Sequence, residues 1–407
     1  MNLRIIVPGL LMAMTGVGVG DLATSGFAGM KLGVAVLWAV LLGAGFKYLL
    51  TEGLTRWQLS TGETLLSGAS RHLGKPFFIL FGIYFILWSY FVGAALISAC
   101  GVSAAALIGM SPTPAIKAVF GLGHSFLAVL LIIYGGYRFF VRVMEACAVL
   151  LFAAVVICAL AISPDWGAVI SGLTIPTIPD AGGQELSWVI ALMGGVGGTL
   201  TILCYGYWIR EEGRNKWDDL KLSRLDLAIG YLLTALFGIA MVIIGTYATG
   251  SGKGLGLILD IGNNLGLQIG SWAQIFFLVG AWGAIFSSLL GVWQAVPMLF
   301  VDWMDRGGKC DWDKQKKDQW QKIYLLLLAT IPAFSLLFEF KMVQKAYSVF
   351  GALFMPFLAI LLLYMNNRKG LIGKNHRNGW LTNGFLIAIL VFFAWASWLQ
   401  ISKKLGL

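Results

Sequence analysis

Charged side chains are scarce in this 407-residue chain: 12% of it is Asp, Glu, Lys or Arg, about half the ~25% of an ordinary soluble domain. With 58% hydrophobic residues and a mean hydropathy of +0.83, that shortage excludes a water-soluble fold. Ten-residue alternating segments are missing too. The apolar runs reach ~20 residues or more, which excludes a β-barrel and leaves a bundle of membrane helices whose backbone groups bond within each segment. Cysteine is sparse, and Cys100, Cys147, Cys158, Cys204 and Cys310 form no CxxC pair. No disulfide framework or zinc site follows, and the four that fall in apolar runs read as small packed thiols. Enzyme signatures are absent: there is no HExxH, Walker or GxSxG motif, no spaced His/Asp/Ser set and no nucleotide-binding domain. Gly250-Ser251-Gly252-Lys253-Gly254 lacks the phosphate-loop spacing. No enzymatic activity and no cofactor are expected. Met1-Asn2-Leu3-Arg4 opens no cleavable signal, because a small-residue cleavage site is lacking, so the first apolar run reads as a retained span.

What is present divides into eleven spans, near 5–30, 32–57, 76–100, 115–136, 138–162, 186–210, 224–249, 270–303, 320–338, 342–365 and 379–401. The net charge of +10 comes from Lys and Arg in short loops, so it marks topology and not a nucleic-acid surface. Arg4, Arg56, Arg71, Arg138, Arg142, Arg210, Arg214, Arg224, Lys314, Lys317 and Arg377 all fall on one side, against a few lysines such as Lys31, Lys117 and Lys253 on the other. The positive-inside rule then predicts a cytoplasmic N-terminus and an outer C-terminus. The loop Ser163 to Ser187 has acidic residues and no Lys or Arg, and reads as an outer loop capping a vestibule. Lys47, Glu52 and Glu145 read as groups that snorkel or pair near inner span ends. His124 reads as a hydrogen-bonded core residue.

Two glycine clusters interrupt this pattern: Thr15-Gly16-Val17-Gly18-Val19-Gly20-Asp21 in the first span and Gly194-Gly195-Val196-Gly197-Gly198-Thr199 in the sixth. Glycine in a helix interior costs ~1 kcal/mol relative to alanine, so both spans are expected to unwind at mid-membrane. Such paired breaks point to a transporter site. Spans one to five and six to ten each begin with a broken helix and run in opposite directions, which predicts two inverted repeats, 5–162 and 186–365, plus an extra span 379–401. Asp21 reads both as a ligand for a cation or ammonium group and as an N-cap for the half-helix after it. The candidate binding set is Gly16, Gly18, Gly20, Asp21, Gly198, Thr199, Thr201 and Tyr205, with freed backbone groups carrying much of the binding. Tyr205 reads as a gate, a stacking surface or an ordinary packed ring. Ser287 and Ser288 read either as a candidate Na⁺ site with freed carbonyls of the first span or as small residues at a helix contact.

Val7-Pro8-Gly9-Leu10-Leu11-Met12-Ala13, Ala23-Thr24, Ser60-Thr61-Gly62-Glu63-Thr64-Leu65, Tyr137-Arg138 through Glu145, and Phe354-Met355-Pro356-Phe357 occur in an order and spacing that resembles the NRAMP (natural resistance-associated macrophage protein) family of divalent-metal transporters. The resemblance implies the LeuT-type fold over nearly the whole chain. It also implies that the metal site is lost. The family's Asp-Pro-Gly-Asn motif reads Gly18-Val19-Gly20-Asp21, its Met-Pro-His motif reads Gly198-Thr199-Leu200, and its proton-linked acidic residues read Gly93 and Leu96. The expectation is a divergent branch: a secondary-active transporter in a bacterial inner membrane, monomeric, with the bilayer and a small solute or ion as partners. Its substrate is a hard divalent cation or a small organic solute, and no metal ligands are assigned. A Na⁺-coupled amino-acid or carboxylate carrier, a channel and a receptor-like protein that does not transport stay open beside it.

Overall fold

The computed structural model describes residues 3–111, 113–179, 185–195, 197–250, 256–307, 310–337 and 340–405. Met1, Asn2, Val196, Ser251, Gly252, Lys253 and Gly254, all named above, lie outside these described residues, as does 180–184 of the expected outer loop. The first span is two helices, α1 (Val7–Gly16) and α2 (Val19–Leu32). Pro8 opens α1, where a missing N–H costs nothing. Gly33, at φ +65°, turns the chain into a short 3₁₀ segment, so α3 runs Leu37–Thr61 and not from residue 32. A left-handed Gly62 ends it. A connecting helix α4 (Leu65–Leu73), capped by the Thr64 hydroxyl on Ser67 N–H, leads to α5 (Lys75–Leu107). The long α6 (Pro114–Ala161) folds back at Gly136, φ +66°, and supplies two passes.

Asp165 caps α7 (Trp166–Thr174), which lies in the predicted outer loop. The sixth span comprises α8 (Glu185–Gly195), a 3₁₀ turn Leu200–Cys204 and α9 (Tyr205–Glu211). Then come α10 (Leu220–Thr246), the connecting α11 (Gly256–Gln268), α12 (Ser271–Asp302), α13 (Lys314–Thr330) with a 3₁₀ extension, α14 (Phe340–Met365) and α15 (Trp380–Leu405). The order of crossings matches the eleven spans read from sequence, with spans one and six broken. Among the described residues, six helical segments are long and apolar enough to cross a membrane, Pro114–Ala161 among them.

Broken helices α1 and α2 sit against α10 and α12, while α5, α6 and α12 pack together beside them. The α10 contact is close because glycines face backbone: a Cβ on Gly26's partner Gly245 would lie 2.3 Å from Gly26 O, and one on Gly230 would lie 2.5 Å from Gly9 O. Small residues permit this approach where lipid supplies no hydrophobic drive between helices. The outward faces carry Leu80, Ile83, Val119, Val149, Leu232 and Ile275, all exposed, as a lipid-facing surface requires. His124 is held as expected, with Nδ1 on Phe120 O at 2.7 Å and the Trp282 indole donating to Nε2 at 3.0 Å.

Candidate substrate site between the broken helices

The two interruptions touch. A Cβ placed on Gly16 would lie 2.7 Å from the carbonyl carbon of Gly197, and one on Gly198 would lie 3.1 Å from Gly16 Cα. In the second break Gly197 and Gly198 hold φ +91° and +83°, a left-handed conformation that glycine adopts without strain. The first break is extended: Val17 leaves α1 at ψ 97° and Gly18 caps α2 at φ −132°, ψ −158°. Gly18 matters there for space, since a Cβ would stand 2.8 Å from Ser288 Oγ.

Asp21 staples the breaks together. Its Oδ2 accepts from Gly18 N–H at 3.1 Å and its Oδ1 accepts from Gly197 N–H at 2.8 Å. Capping is therefore real, with a shifted frame: α2 starts at Val19, Gly18 is the N-cap, and Asp21 reaches back from the third helical position. Gly20 belongs to the first turn of α2 and not to the opening itself.

The other expected residues have defined partners. Ser288 donates to Thr15 O at 2.8 Å, and Ser287 donates to Ala284 O at 3.0 Å and to Met14 O at 3.4 Å. Both hydroxyls thus engage carbonyls near the end of α1. Thr199 Oγ1 accepts from the indole of Trp88, 3.2 Å away on α5. Thr201 is buried with its hydroxyl beside Gly198. Tyr205 is removed from the breaks: its hydroxyl donates to Asp226 Oδ2 at 2.9 Å and lies 3.1 Å from Ser223 O. Thr15 Oγ1, by contrast, is buried without a hydrogen-bond partner among the described residues.

Lys47 does not snorkel near a span end; of the two expected behaviours it is the partnered one that the structure has, and deeper than expected. It lies 10 residues into the 25-residue α3, ~15 Å from its start at ~1.5 Å per residue, and is 0% exposed. Its ammonium donates to Gly195 O, at the end of α8, at 3.1 Å, and its stem would meet a Cβ on Gly197 at 3.5 Å. Asp21 and Lys47 act on each other electrostatically. A lysine inside an apolar run was the available signal; its spacing alone did not say which face it occupied.

One end of the bundle is tied by charge. Asp226 on α10 takes Gly9 N–H of α1 at 2.8 Å and Arg214 Nη1 at 2.9 Å, and Arg214 also donates to Ile5 O. Glu52 pairs with Arg56 at 3.2 Å and with Arg224 at 2.6 Å, so its expected pairing holds. Asp302 accepts from Thr64 at 2.5 Å and from Tyr207 at 2.9 Å. At the positions where the resemblance implies proton-linked acids, Gly93 leaves no room, since a Cβ would be 2.7 Å from Pro332, and Leu96 is buried in the core. Among the described residues, no group of three or more His, Cys, Asp or Glu is placed to hold a metal ion.

Two helices broken at the same depth and packed break to break, inside an inverted repeat, define a secondary transporter of the LeuT-type fold. The family model "natural resistance-associated macrophage protein-like" matches residues 9–402. The chain belongs to the Nramp family, whose members are transporters and not enzymes. A crystal structure of the manganese transporter of Eremococcus coleocola is similar, with a TM-score of 0.77 at 15% identity over 99% of this chain and 87% of that one. MhsT in complex with L-phenylalanine gives 0.60 at 16% identity over 97% of each chain. A nucleobase-cation-symport-1 family transporter in a closed conformation gives 0.59 at 14%, over 98% of this chain and 93% of that one. No curated protein matches the sequence.

Proposed function

We propose that this integral membrane transporter works by alternating access and carries a small organic solute between its two breaks, with Gly16, Gly18, Asp21, Gly198, Thr199 and Thr201 around it. The observation that carries the reading is the pair of interruptions in direct contact, stapled by Asp21. Breaking two helices against one another exposes main-chain groups that can recognise a solute, and binding there couples to rocking of one repeat on the other. The Thr15 hydroxyl, buried and unspent, is a further group for that solute. We take the repeats as 5–162 and 186–365, with 379–401 added, as a monomer in a bacterial inner membrane with the N-terminus inside.

Transition-metal selectivity is not supported. Manganese and iron sites need several carboxylate, imidazole or thioether ligands, and the break holds one carboxylate whose two oxygens already accept backbone N–H groups. A hard divalent cation fits less well than an organic solute, because Lys47 places a positive charge beside Asp21. The Ser287–Ser288 pair gives Na⁺ coupling little support, since both hydroxyls are spent on carbonyls that would have to serve the ion.

Uptake into proteoliposomes across a panel of Mn²⁺, Mg²⁺, amino acids and organic acids tests the proposal. Accumulation of one organic class with no metal uptake is expected. Metal uptake would overturn the solute assignment, and no uptake across the panel would favour the receptor-like reading.

A further inference from the structure

Lys47 is a charge for which transport of a neutral or organic solute gives no evident reason. A charge at the bilayer centre costs ~2.5–3.5 kcal/mol on insertion scales. From its place in α3, ~15 Å from one end and ~21 Å from the other, the side chain is too short to reach water at either. It is 0% exposed, so the ammonium stays in the core. Of the two kinds of group that an inorganic cation would seek, it hydrogen-bonds one, Gly195 O at the C-terminal end of a half-helix, and lies within electrostatic reach of the other, the Asp21 carboxylate. Helix C-termini favour positive charge, and freed carbonyls at such ends are where broken-helix transporters hold their ions.

We infer that the Lys47 ammonium occupies the inorganic-cation position of this site and thereby sets its specificity. The inference rests on the reading that the paired breaks form the substrate site, and it deepens it. Gly195 O and Asp21 are satisfied without any ion from solution. Binding and stability therefore need neither Na⁺ nor a divalent metal, and a divalent ion approaching Asp21 meets an ammonium that cannot leave. The same lysine presents a fixed positive group to the solute, so a neutral molecule or one with a carboxylate is admitted and an inorganic or organic cation is rejected. Gly197 lies against the lysine stem: a Cβ there would be in ordinary contact with Lys47 Cδ at 3.5 Å and would crowd Thr234 Cγ2 at 2.9 Å.

The test is thermal unfolding of the purified full-length protein in detergent, which needs no transport and no known substrate. For the unaltered protein, Tm in sodium chloride, choline chloride and added magnesium or manganese chloride is expected to agree within ~1 °C. Lys47→Ala removes the cation and leaves a channel for a small one. Its Tm is expected to fall and then rise by at least ~3 °C with ethylammonium or Na⁺, while bulky choline has no effect, because a ligand that binds only the folded state raises its stability. Lys47→Met leaves Asp21 charged in a filled core, and adding Asp21→Asn to it is expected to restore most of the lost Tm. The inference is overturned by a Na⁺- or metal-dependent Tm in the unaltered protein. It is equally overturned if small cations leave Lys47→Ala unmoved, or if Asp21→Asn gives Lys47→Met no recovery. A variant too unstable to purify leaves the cation dependence of the unaltered protein as the deciding measurement. Absence of uptake in proteoliposomes would sink the transport reading and leave these outcomes standing, so the two failures are distinguishable.

Discussion

Ser288 decides what residue 18 can be. Its hydroxyl sits where a side chain on residue 18 would begin, and it is fixed there by its bond to Thr15 O. Any carboxylate at that position, as in the metal-binding motif that the chain resembles, would have to displace Ser288 first. Gly18→Ala is expected to destabilise the protein by ~1–3 kcal/mol, the usual cost of overpacking a filled core. Adding Ser288→Gly is expected to recover most of it, read as Tm of the single and double variants. A Gly18→Ala protein as stable as the unaltered one would show that the break is looser than drawn. Thr199 makes the same point in reverse: its hydroxyl, expected to meet solute, is held by the Trp88 indole, so any solute must compete with that bond or use its other lone pair.

At the scale of elements, the breaks were legible because glycine clusters are costly in helices and have no cheap explanation inside a membrane span. Their partners were not. Trp88 is an ordinary-looking residue in an apolar run, the charges Asp226 and Lys47 stand out there without showing which face they occupy, and only packing brings α10, α5 and α3 against the breaks. Helix ends shifted for local reasons, such as the Gly33 turn before α3 and the left-handed Gly62 after it. Tyr205 follows the second cluster by one turn in sequence, yet the 3₁₀ segment Leu200–Cys204 carries it to Asp226. That Asp226–Arg214 pair clamps α1 to α10 and is nearly water-free. Arg214→Met leaves a buried carboxylate uncompensated, which typically costs ~3–5 kcal/mol. The expected outcome is a lower Tm together with faster hydrogen exchange in Val7–Gly16 than in α12. Uniform loosening of both helices would instead mean that the pair supports the bundle as a whole and does not fasten α1.

For the whole molecule, the proposed opposed repeats with α15 added give an odd number of crossings, an arrangement that would put the two termini on opposite faces. A reporter that works only in the cytosol is expected to be silent when fused after Leu407 and active when fused before Met1; a strong signal at the C-terminus would revise the topology. The pairs Arg214–Asp226, Glu52–Arg56 and Glu52–Arg224 cluster toward the end where α1 begins. The far halves of the broken spans meet through rings instead, Phe27 of α2 against Trp188 of α8 with centroids 5.3 Å apart. Apolar association weakens on cooling, and ionic contacts do not follow the same law. The two mouths therefore answer to different thermometers: chilling should ease the aromatic seal while the ionic one keeps its grip, biasing the resting population toward the face opposite the N-terminus.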